Sequence, residues 1–331
     1  MGSPFRSEFP DIRDGAELPP HDYPYLMPGS RPPQKVWLHV VLFLLTLVTT
    51  TLVGADRYVS FYLGFRTAVE LPFSVWELVV RGLWYSVSIL AILGAHEFGH
   101  YYACRYYGVD ASLPYFLPVP PFVLSGTLGA FIRIRQVIPT KRALFDIGIA
   151  GPIAGFVVLI PVLMIGMYMS QVVQMPKDFD GTLFELGEPL LFKAATWLTF
   201  GSVPDGYTVS MHPVAFAAWF GMLATTLNLF PVGQTDGGHV SYAVLGRHST
   251  TVSFVTIACL AGLSFFASSW ILWTVLMIAL LVVFGPRHPS TFDEHIPLDR
   301  ARLWVAFFGV VIFIICFAPV PLQIIDLTAG K

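Results

Sequence analysis

The feature that most constrains the fold is a series of long apolar stretches. Seven of them lie along the 331-residue chain, at residues 36–54, 76–102, 144–169, 213–231, 252–266, 270–284 and 303–319. A helix needs about 20 mostly apolar residues to cross the hydrocarbon core of a bilayer. The fifth and sixth stretches are short and nearly continuous. The sequence therefore predicts an all-α polytopic membrane protein with about 6–7 transmembrane helices.

Composition excludes several other classes of protein. Hydrophobic residues make up 55% of the chain and charged residues only 12%, with a mean hydropathy of +0.67. Soluble domains carry roughly 25% charged residues. A net charge of -2 offers no basic surface for nucleic acid. The three cysteines show no CxxC spacing, which argues against a disulfide framework or a thiolate metal site.

The apolar stretches also divide the chain. Residues 1–34 are polar and rich in proline, which predicts a flexible cytoplasmic tail rather than a cleaved signal peptide. Residues 35–320 are expected to form a single membrane-embedded domain, followed by a short tail at 321–331. The bilayer is therefore an expected partner, and the oligomeric state stays open.

The distribution of Lys and Arg predicts the orientation. Thirteen of the 19 lie on one side of the membrane if the N-terminus is cytoplasmic, as the positive-inside rule expects. Residues 171–211 then form the longest outer loop, and the second and fourth spans end at the cytoplasm. The brevity of the chain and the lack of a targeting peptide suggest a bacterial inner membrane.

The segment between the second and third spans predicts a small strand or re-entrant insertion. Its first part is rich in proline and is expected to be irregular, whereas residues 130–135 alternate as a strand does. A strand edge could receive an extended peptide, so we expect Ala130, Phe131 and Ile132 to bind substrate. The alternative is a short amphipathic segment on the membrane surface.

The second apolar stretch carries an HExxH motif at residues 96–100. His96 and His100 are four residues apart and share one face of a helix, so both imidazoles can reach one zinc ion. Glu97 is placed to act as general base toward zinc-activated water. Two histidines buried against polar partners are the alternative, but ionisable groups within a span are costly unless they pair, face water or bind an ion.

A third ligand is expected because catalytic zinc usually keeps three protein ligands and one open position. The segment NLFPVGQTDGGH at the end of the fourth span offers Asp236. Pro231 and the glycines beside Asp236 should break the helix at membrane depth, which is tolerated where the backbone faces protein or water. A solvated aspartate in a polar turn is the alternative for this residue.

Together, HEFGH and the later N-x-x-P-x-x-x-x-D-G pattern, which includes Asn228, resemble the site-2 protease family of intramembrane metalloproteases. The glycine-rich FDIGIAGPIAG between them resembles that family's third core helix, and its small-residue spacing also favours close helix contact. The resemblance implies that His96, His100 and Asp236 hold one zinc per chain. It further implies that Glu97 activates water, that Asn228 helps to hold substrate, and that the substrate is a transmembrane protein in regulated intramembrane proteolysis.

Two other classes of function compete with this prediction. A prenyl-protein-type membrane metalloprotease also carries HExxH but expects a downstream Glu ligand instead of Asp236. A metal transporter, or an inactive scaffold that keeps the fold, is the alternative outside enzymes. Glu97 distinguishes these alternatives, because a transporter needs the histidines but no general base beside them.

Overall fold

A computed structural model describes residues 34–66, 70–121, 125–175, 182–285 and 291–326. The predicted N-terminal tail falls on residues outside this part, as does the end of the C-terminal tail. The described chain is mostly helical. Its elements are, in order, α1 (Val36–Leu63), α2 (Val75–Tyr106), β1 (Tyr115–Pro118), β2 (Thr127–Phe131), α3 (Lys141–Met169), β3 (Gln171–Gln174), β4 (Thr182–Leu186), α4 (Leu190–Phe200), β5 (Tyr207–Ser210), α5 (Pro213–Leu229), α6 (Asp236–Leu245), α7 (Ser249–Phe266), α8 (Ser269–Phe284), α9 (Arg300–Cys316) and β6 (Leu322–Asp326).

Four helical stretches of the described chain are long and apolar enough to cross a membrane. They are α1, α2, α3 and the stretch Asp236–Phe266, which joins α6 to α7 through a short 3-10 turn. The apolar helices α4, α5 and α8 are shorter. The helices α1, α2, α8 and α9 leave many large apolar side chains exposed, as a lipid-facing surface does. A membrane protein is supported, whereas the predicted count of six or seven spans is not confirmed.

The first two helices make a close contact where α1 nears its end and α2 begins. Ser74 caps α2 in a reciprocal arrangement with Glu77, which fixes where the helix begins. Farther along, Gly54 of α1 and Gly82 of α2 let the two backbones touch, since a Cβ on either would collide with the other helix. The hydroxyls of Thr50 and Ser86 lie 2.6 Å apart beside this contact. Small residues therefore set the crossing of α1 and α2.

The third helix is the centre of the core. Leu159, Leu163 and Met167 are fully buried, and they pack in one apolar cluster with side chains of α5. Gly166 lets the backbone of α3 approach Ala215 at the start of α5. The helix α3 therefore forms a rigid support between α2, which carries the HExxH motif, and the segment that follows α5.

The predicted insertion between α2 and α3 is a two-stranded antiparallel hairpin. Strand β2 ends at Phe131, earlier than predicted, and Ile134 makes only an isolated bridge with Ala111. The expectation that the proline-rich part is irregular was wrong for Tyr115–Pro118, which form β1. Pro118 is tolerated at the last position of β1, next to a register shift.

The loop at residues 171–211, which we predicted to lie outside, is more structured than the sequence indicated. It contains α4, and β3 pairs with β5 in antiparallel register from Gln171 opposite Ser210. Strand β4 pairs with β6, whose residues fall in the segment that we expected to be a C-terminal tail. These pairings join segments that are distant in sequence, and short apolar runs alone do not reveal such partners.

Candidate metal centre

The two histidines of the HExxH motif share one buried face of α2. His96 is 5% and His100 6% exposed, and their Nε2 atoms lie 3.1 Å apart. The spacing of four residues places the second ring about one turn beyond the first. Both imidazoles thus direct the same ring nitrogen toward one point.

Asp236 reaches this point from a break between two helices. The helix α5 ends at Leu229, and α6 begins at Asp236 after an irregular segment that contains Pro231. The Thr235 side chain caps α6 by accepting a hydrogen bond from the backbone N–H of Gly238 at 3.1 Å. The sequence predicted this break correctly, and the capped turn holds Asp236 at the first position of the new helix.

The carboxylate of Asp236 completes a compact group of three potential ligands. Its Oδ2 lies 3.0 Å from His96 Nε2 and 3.2 Å from His100 Nε2. Two ligand atoms on a tetrahedral zinc ion, at about 2.0 to 2.1 Å each, stand about 3.3 Å apart. The nitrogen and oxygen donors therefore have the chemistry and the spacing of a zinc site. In the described chain this is the one group of three or more His, Cys, Asp or Glu that meets such a spacing.

The orientation of His100 supports the same conclusion. Its Nδ1 lies 2.7 Å from the backbone carbonyl of Ile147 on α3. A carbonyl only accepts hydrogen bonds, so Nδ1 carries the proton and Nε2 of the neutral ring keeps its lone pair for a metal. The sequence analysis missed this contact, because a backbone carbonyl has no signature in the sequence.

The glycines of α3 make room for the two rings. A Cβ at Gly151 would overlap the His100 imidazole, and one at Gly155 would come within 3.1 Å of the His96 Cβ. Gly99 of α2 also lies against the backbone of Ala150. The small-residue spacing correctly predicted close helix contact. It did not indicate that Gly151 leaves room for the side chain of His100 and Gly155 for that of His96.

Glu97 lies beside the three ligands without joining them. It is 6% exposed, and the backbone N–H of Ile132, just after β2, lies near enough to its carboxylate to interact with it. The end of the hairpin therefore lies beside the predicted general base. A carboxylate held in this way can take up a proton near the metal while the other three groups bind the ion.

The four predicted substrate-binding residues lie on two parts of the fold, Asn228 near the end of α5 and Ala130, Phe131 and Ile132 at the end of the hairpin. The Nδ2 of Asn228 lies 3.1 Å from His96 Nε2. Ala130 packs against the apolar cluster between α1, α2 and α5, and Phe131 stacks on Tyr115 with ring centroids 5.3 Å apart. Their contact with a substrate stays a prediction, and so do the metal-binding roles of His96, His100 and Asp236 and the catalytic role of Glu97.

Comparison with known proteins adds independent support. Residues 84–269, more than half of the chain, match the sequence profile described as Peptidase family M50. The protein named probable zinc metalloprotease EGY1, chloroplastic, of Arabidopsis thaliana is 30% identical over 279 residues, covering 78% of this chain and 49% of that protein. The rice (Oryza sativa subsp. japonica) protein of the same name is 31% identical over 257 residues, covering 70% and 43%.

A third relative is the protein named probable zinc metalloprotease EGY2, chloroplastic, of Arabidopsis thaliana. It is 28% identical over 229 residues, which cover 68% of this chain and 39% of that protein. The chain thus spans less than half the length of these three relatives. No solved structure matches the chain. All three relatives are described by name as chloroplastic, which does not support the prediction of a bacterial inner membrane.

Proposed function

The chain belongs to peptidase family M50, and on that premise we propose that it is a zinc metalloprotease that cuts membrane proteins in or near their transmembrane segments. One observation carries the proposal: His96, His100 and Asp236 converge within 3.2 Å beside a buried Glu97, on helices long and apolar enough to span a bilayer. The relatives' names refer to zinc metalloproteases, and we extend that activity to this chain.

The residues divide the work of hydrolysis. His96, His100 and Asp236 would hold a single zinc ion per chain. When bound, zinc supplies a Lewis acid that polarises the scissile carbonyl and lowers the pKa of a water molecule at the site. Glu97 accepts the proton of the attacking water and passes it to the leaving amine. The backbone N–H of Ile132, which lies near this carboxylate, would help to orient it for the transfer.

The hairpin is the proposed receiver of the substrate. A transmembrane helix hides its peptide bonds in its own hydrogen bonds, so it must unwind before it can be cut. Among the described residues, β2 pairs with β1 on one edge only, and the backbone N–H of Ile132, just after β2, lies near the Glu97 carboxylate. An extended segment added along Ala130, Phe131 and Ile132 would lie next to the catalytic group. Asn228 would hold the segment from the opposite side.

The setting of the reaction follows from the charge distribution. The site lies toward the end of α2, on the side that holds 13 of the 19 Lys and Arg in the predicted topology. We propose that the N-terminus and the opening of the site share the cytoplasmic side, or its equivalent in an organelle. A substrate that is itself a transmembrane protein would make this a step of regulated intramembrane proteolysis.

A single variant tests the proposed reaction. Purified protein in detergent or bilayer is incubated with a set of fluorogenic peptides that contain an apolar segment with a helix-weakening Gly-Pro pair. We expect cleavage that a zinc chelator abolishes and added zinc restores. The Glu97→Gln variant, which keeps the size and the hydrogen-bonding capacity of the side chain, should bind zinc and not cut. Full cleavage by this variant would refute the mechanism.

A further inference from the structure

A groove opens between α1 and α2 at the depth of the metal centre. It has a volume of about 310 Å³, and its wall is largely apolar. Strand β1 and the residues before it close the groove on the inner side. Its lining includes Val40, Phe43, Leu90, Gly94, Phe98 and His39. We call this space the α1–α2 groove.

The shape of the groove follows from the packing of the two helices. They touch at Gly54 and Gly82, where α1 nears its end and α2 begins. Toward the opposite ends, β1 stands between them, and Phe116 packs edge-on against Phe43 with ring centroids 5.2 Å apart. Gly94 adds space on α2, since a Cβ there would meet only the Phe116 ring, at 3.8 Å. The two helices therefore leave an open groove between them that exposed apolar side chains line.

One polar side chain stands in this apolar wall. His39 is 6% exposed, and its Nδ1 lies 3.1 Å from the backbone carbonyl of Pro114. The carbonyl can only accept, so Nδ1 is the donor, and Nε2 of the neutral ring is an acceptor. Within the described part of the chain, this Nε2 is buried and has no hydrogen-bond partner. A buried polar atom without a partner costs about 1 to 3 kcal/mol.

The groove lies on the side of α2 next to the catalytic face. At about 100° of rotation per residue, Glu97 is roughly 60° from Gly94 and 100° from Phe98 around the helix axis. In the opposite direction around the axis, Glu97 is roughly 60° from His100 and 100° from His96. Glu97 therefore lies between the groove and the ligands, so a segment in the groove is one side chain away from the site.

We propose that the α1–α2 groove admits the unwinding transmembrane segment of the substrate, and that His39 Nε2 accepts a hydrogen bond from a peptide N–H freed by unwinding. This inference rests on the proposed function and names a substrate-binding residue that the sequence analysis did not single out. The apolar wall receives the side chains of the segment, while His39 satisfies one of the backbone donors that an unwound helix exposes in lipid.

A peptide N–H fits this acceptor better than a side-chain hydroxyl does. Within α1 itself, the hydroxyls of Thr46, Thr50 and Thr51 donate to carbonyls of the same helix four residues earlier, at 2.6 to 2.8 Å. A Ser or Thr in an intact substrate helix is satisfied in the same way. The N–H groups of an unwound turn have lost their partners and need a new acceptor.

Nitrogen NMR of the histidine rings tests the hydrogen bond without requiring cleavage. The Glu97→Gln protein, labelled with ¹⁵N in its nine histidines, is titrated with a Leu/Ala transmembrane peptide that carries a central Gly-Pro pair. The His39 signals are assigned by their loss in His39→Gln. We expect the unprotonated Nε2 signal to move to lower frequency with this peptide and not with a continuous Leu/Ala helix. Replacing one peptide amide by an ester near the Gly-Pro pair should abolish the movement.

Affinity provides the second measurement. The variant His39→Phe keeps an aromatic ring against Tyr115 but has no acceptor, and it should bind the Gly-Pro peptide roughly five- to tenfold more weakly, the effect of one hydrogen bond. The variant His39→Gln offers both a donor and an acceptor and should recover part of the loss.

Unchanged affinity in His39→Phe, or an Nε2 signal that moves equally with both peptides or with neither, would overturn the inference. The proposed protease function would be unaffected by that result, because zinc content and cleavage are measured separately.

Discussion

The Nδ1 of His100 donates a hydrogen bond to the backbone carbonyl of Ile147, 2.7 Å away on the neighbouring helix α3. This contact fixes the ring orientation and leaves Nε2 directed at His96 and Asp236. Loss of a partner of this kind typically weakens metal binding about 10- to 100-fold. The position of α3 relative to α2 therefore determines whether the proposed zinc site can form.

The first prediction concerns the space that α3 leaves for His100. In Gly151→Ala, the new methyl group overlaps the imidazole, so the ring must move away from Asp236. We expect zinc affinity to fall about 10- to 100-fold, as measured by competition with a chelator. Gly262→Ala is the matched control, because a Cβ there meets nothing within 4 Å. Equal zinc affinity in the two variants would show that the ring position is not set by α3.

A second prediction concerns an ion-pair network beside Ile147. Arg302 of α9 donates from Nε and Nη2 to the two oxygens of Asp146, at 2.9 and 2.6 Å, and also contacts Asp299. Burial, together with a hydrogen bond to Asp146, raises the pKa of Tyr107 to about 12, so this hydroxyl stays protonated as a donor. The network joins the C-terminal end of α2 to the N-terminal ends of α3 and α9.

Removing Arg302 should therefore destabilise the protein by leaving Asp146 without its cation. We expect Arg302→Gln to lower the stability by about 1 to 3 kcal/mol, and the double variant with Asp146→Asn to recover part of that loss. Thermal unfolding in detergent measures both, and the double variant serves as the control. If Arg302→Gln unfolds at the same temperature as the wild type, the network contributes nothing to holding α3 in place.

The sequence predicted those parts of the site that depend on the type of side chain and on its spacing along the chain. Four-residue spacing on a helix placed His96 and His100 correctly, and Pro231 indicated the helix break before Asp236. The hairpin was predicted as an insertion with incorrect bounds. The sequence analysis did not predict β1, because its proline indicated irregular structure and is tolerated only at the end of the strand. The Ile147 carbonyl and the free nitrogen of His39 depend on tertiary contact, which the sequence does not encode locally.

A third prediction concerns pH. His212 caps α5, accepting from the Val214 N–H at 3.3 Å, and the rings of Tyr58, Phe61 and Trp84 surround it. Burial lowers the pKa of His212 to about 4 from an ordinary value near 6.5. The folded state therefore resists protonation. The stabilisation is complete above pH 6.5 and is lost as the pH falls from 6.5 toward 4, because only the unfolded chain takes up the proton in that range.

The variant His212→Asn isolates this effect. Asparagine can still cap the helix but does not titrate. We expect the unfolding temperature of the wild type to drop between pH 6.5 and 4 by more than that of the variant, with a difference of up to roughly 3 kcal/mol in stability. Parallel pH profiles for the two proteins would mean that His212 does not titrate in this way.

The most direct test of the account is the zinc content of the purified protein. The wild type, Glu97→Gln, His96→Ala and Asp236→Ala are prepared without chelators and measured by elemental analysis, with Gly262→Ala as a control for handling. We expect about one zinc per chain in the wild type, Glu97→Gln and Gly262→Ala, and its loss or marked weakening in His96→Ala and Asp236→Ala, as a site with three protein ligands requires. A wild type without zinc, or zinc retained in full by both ligand variants, would contradict the central claim.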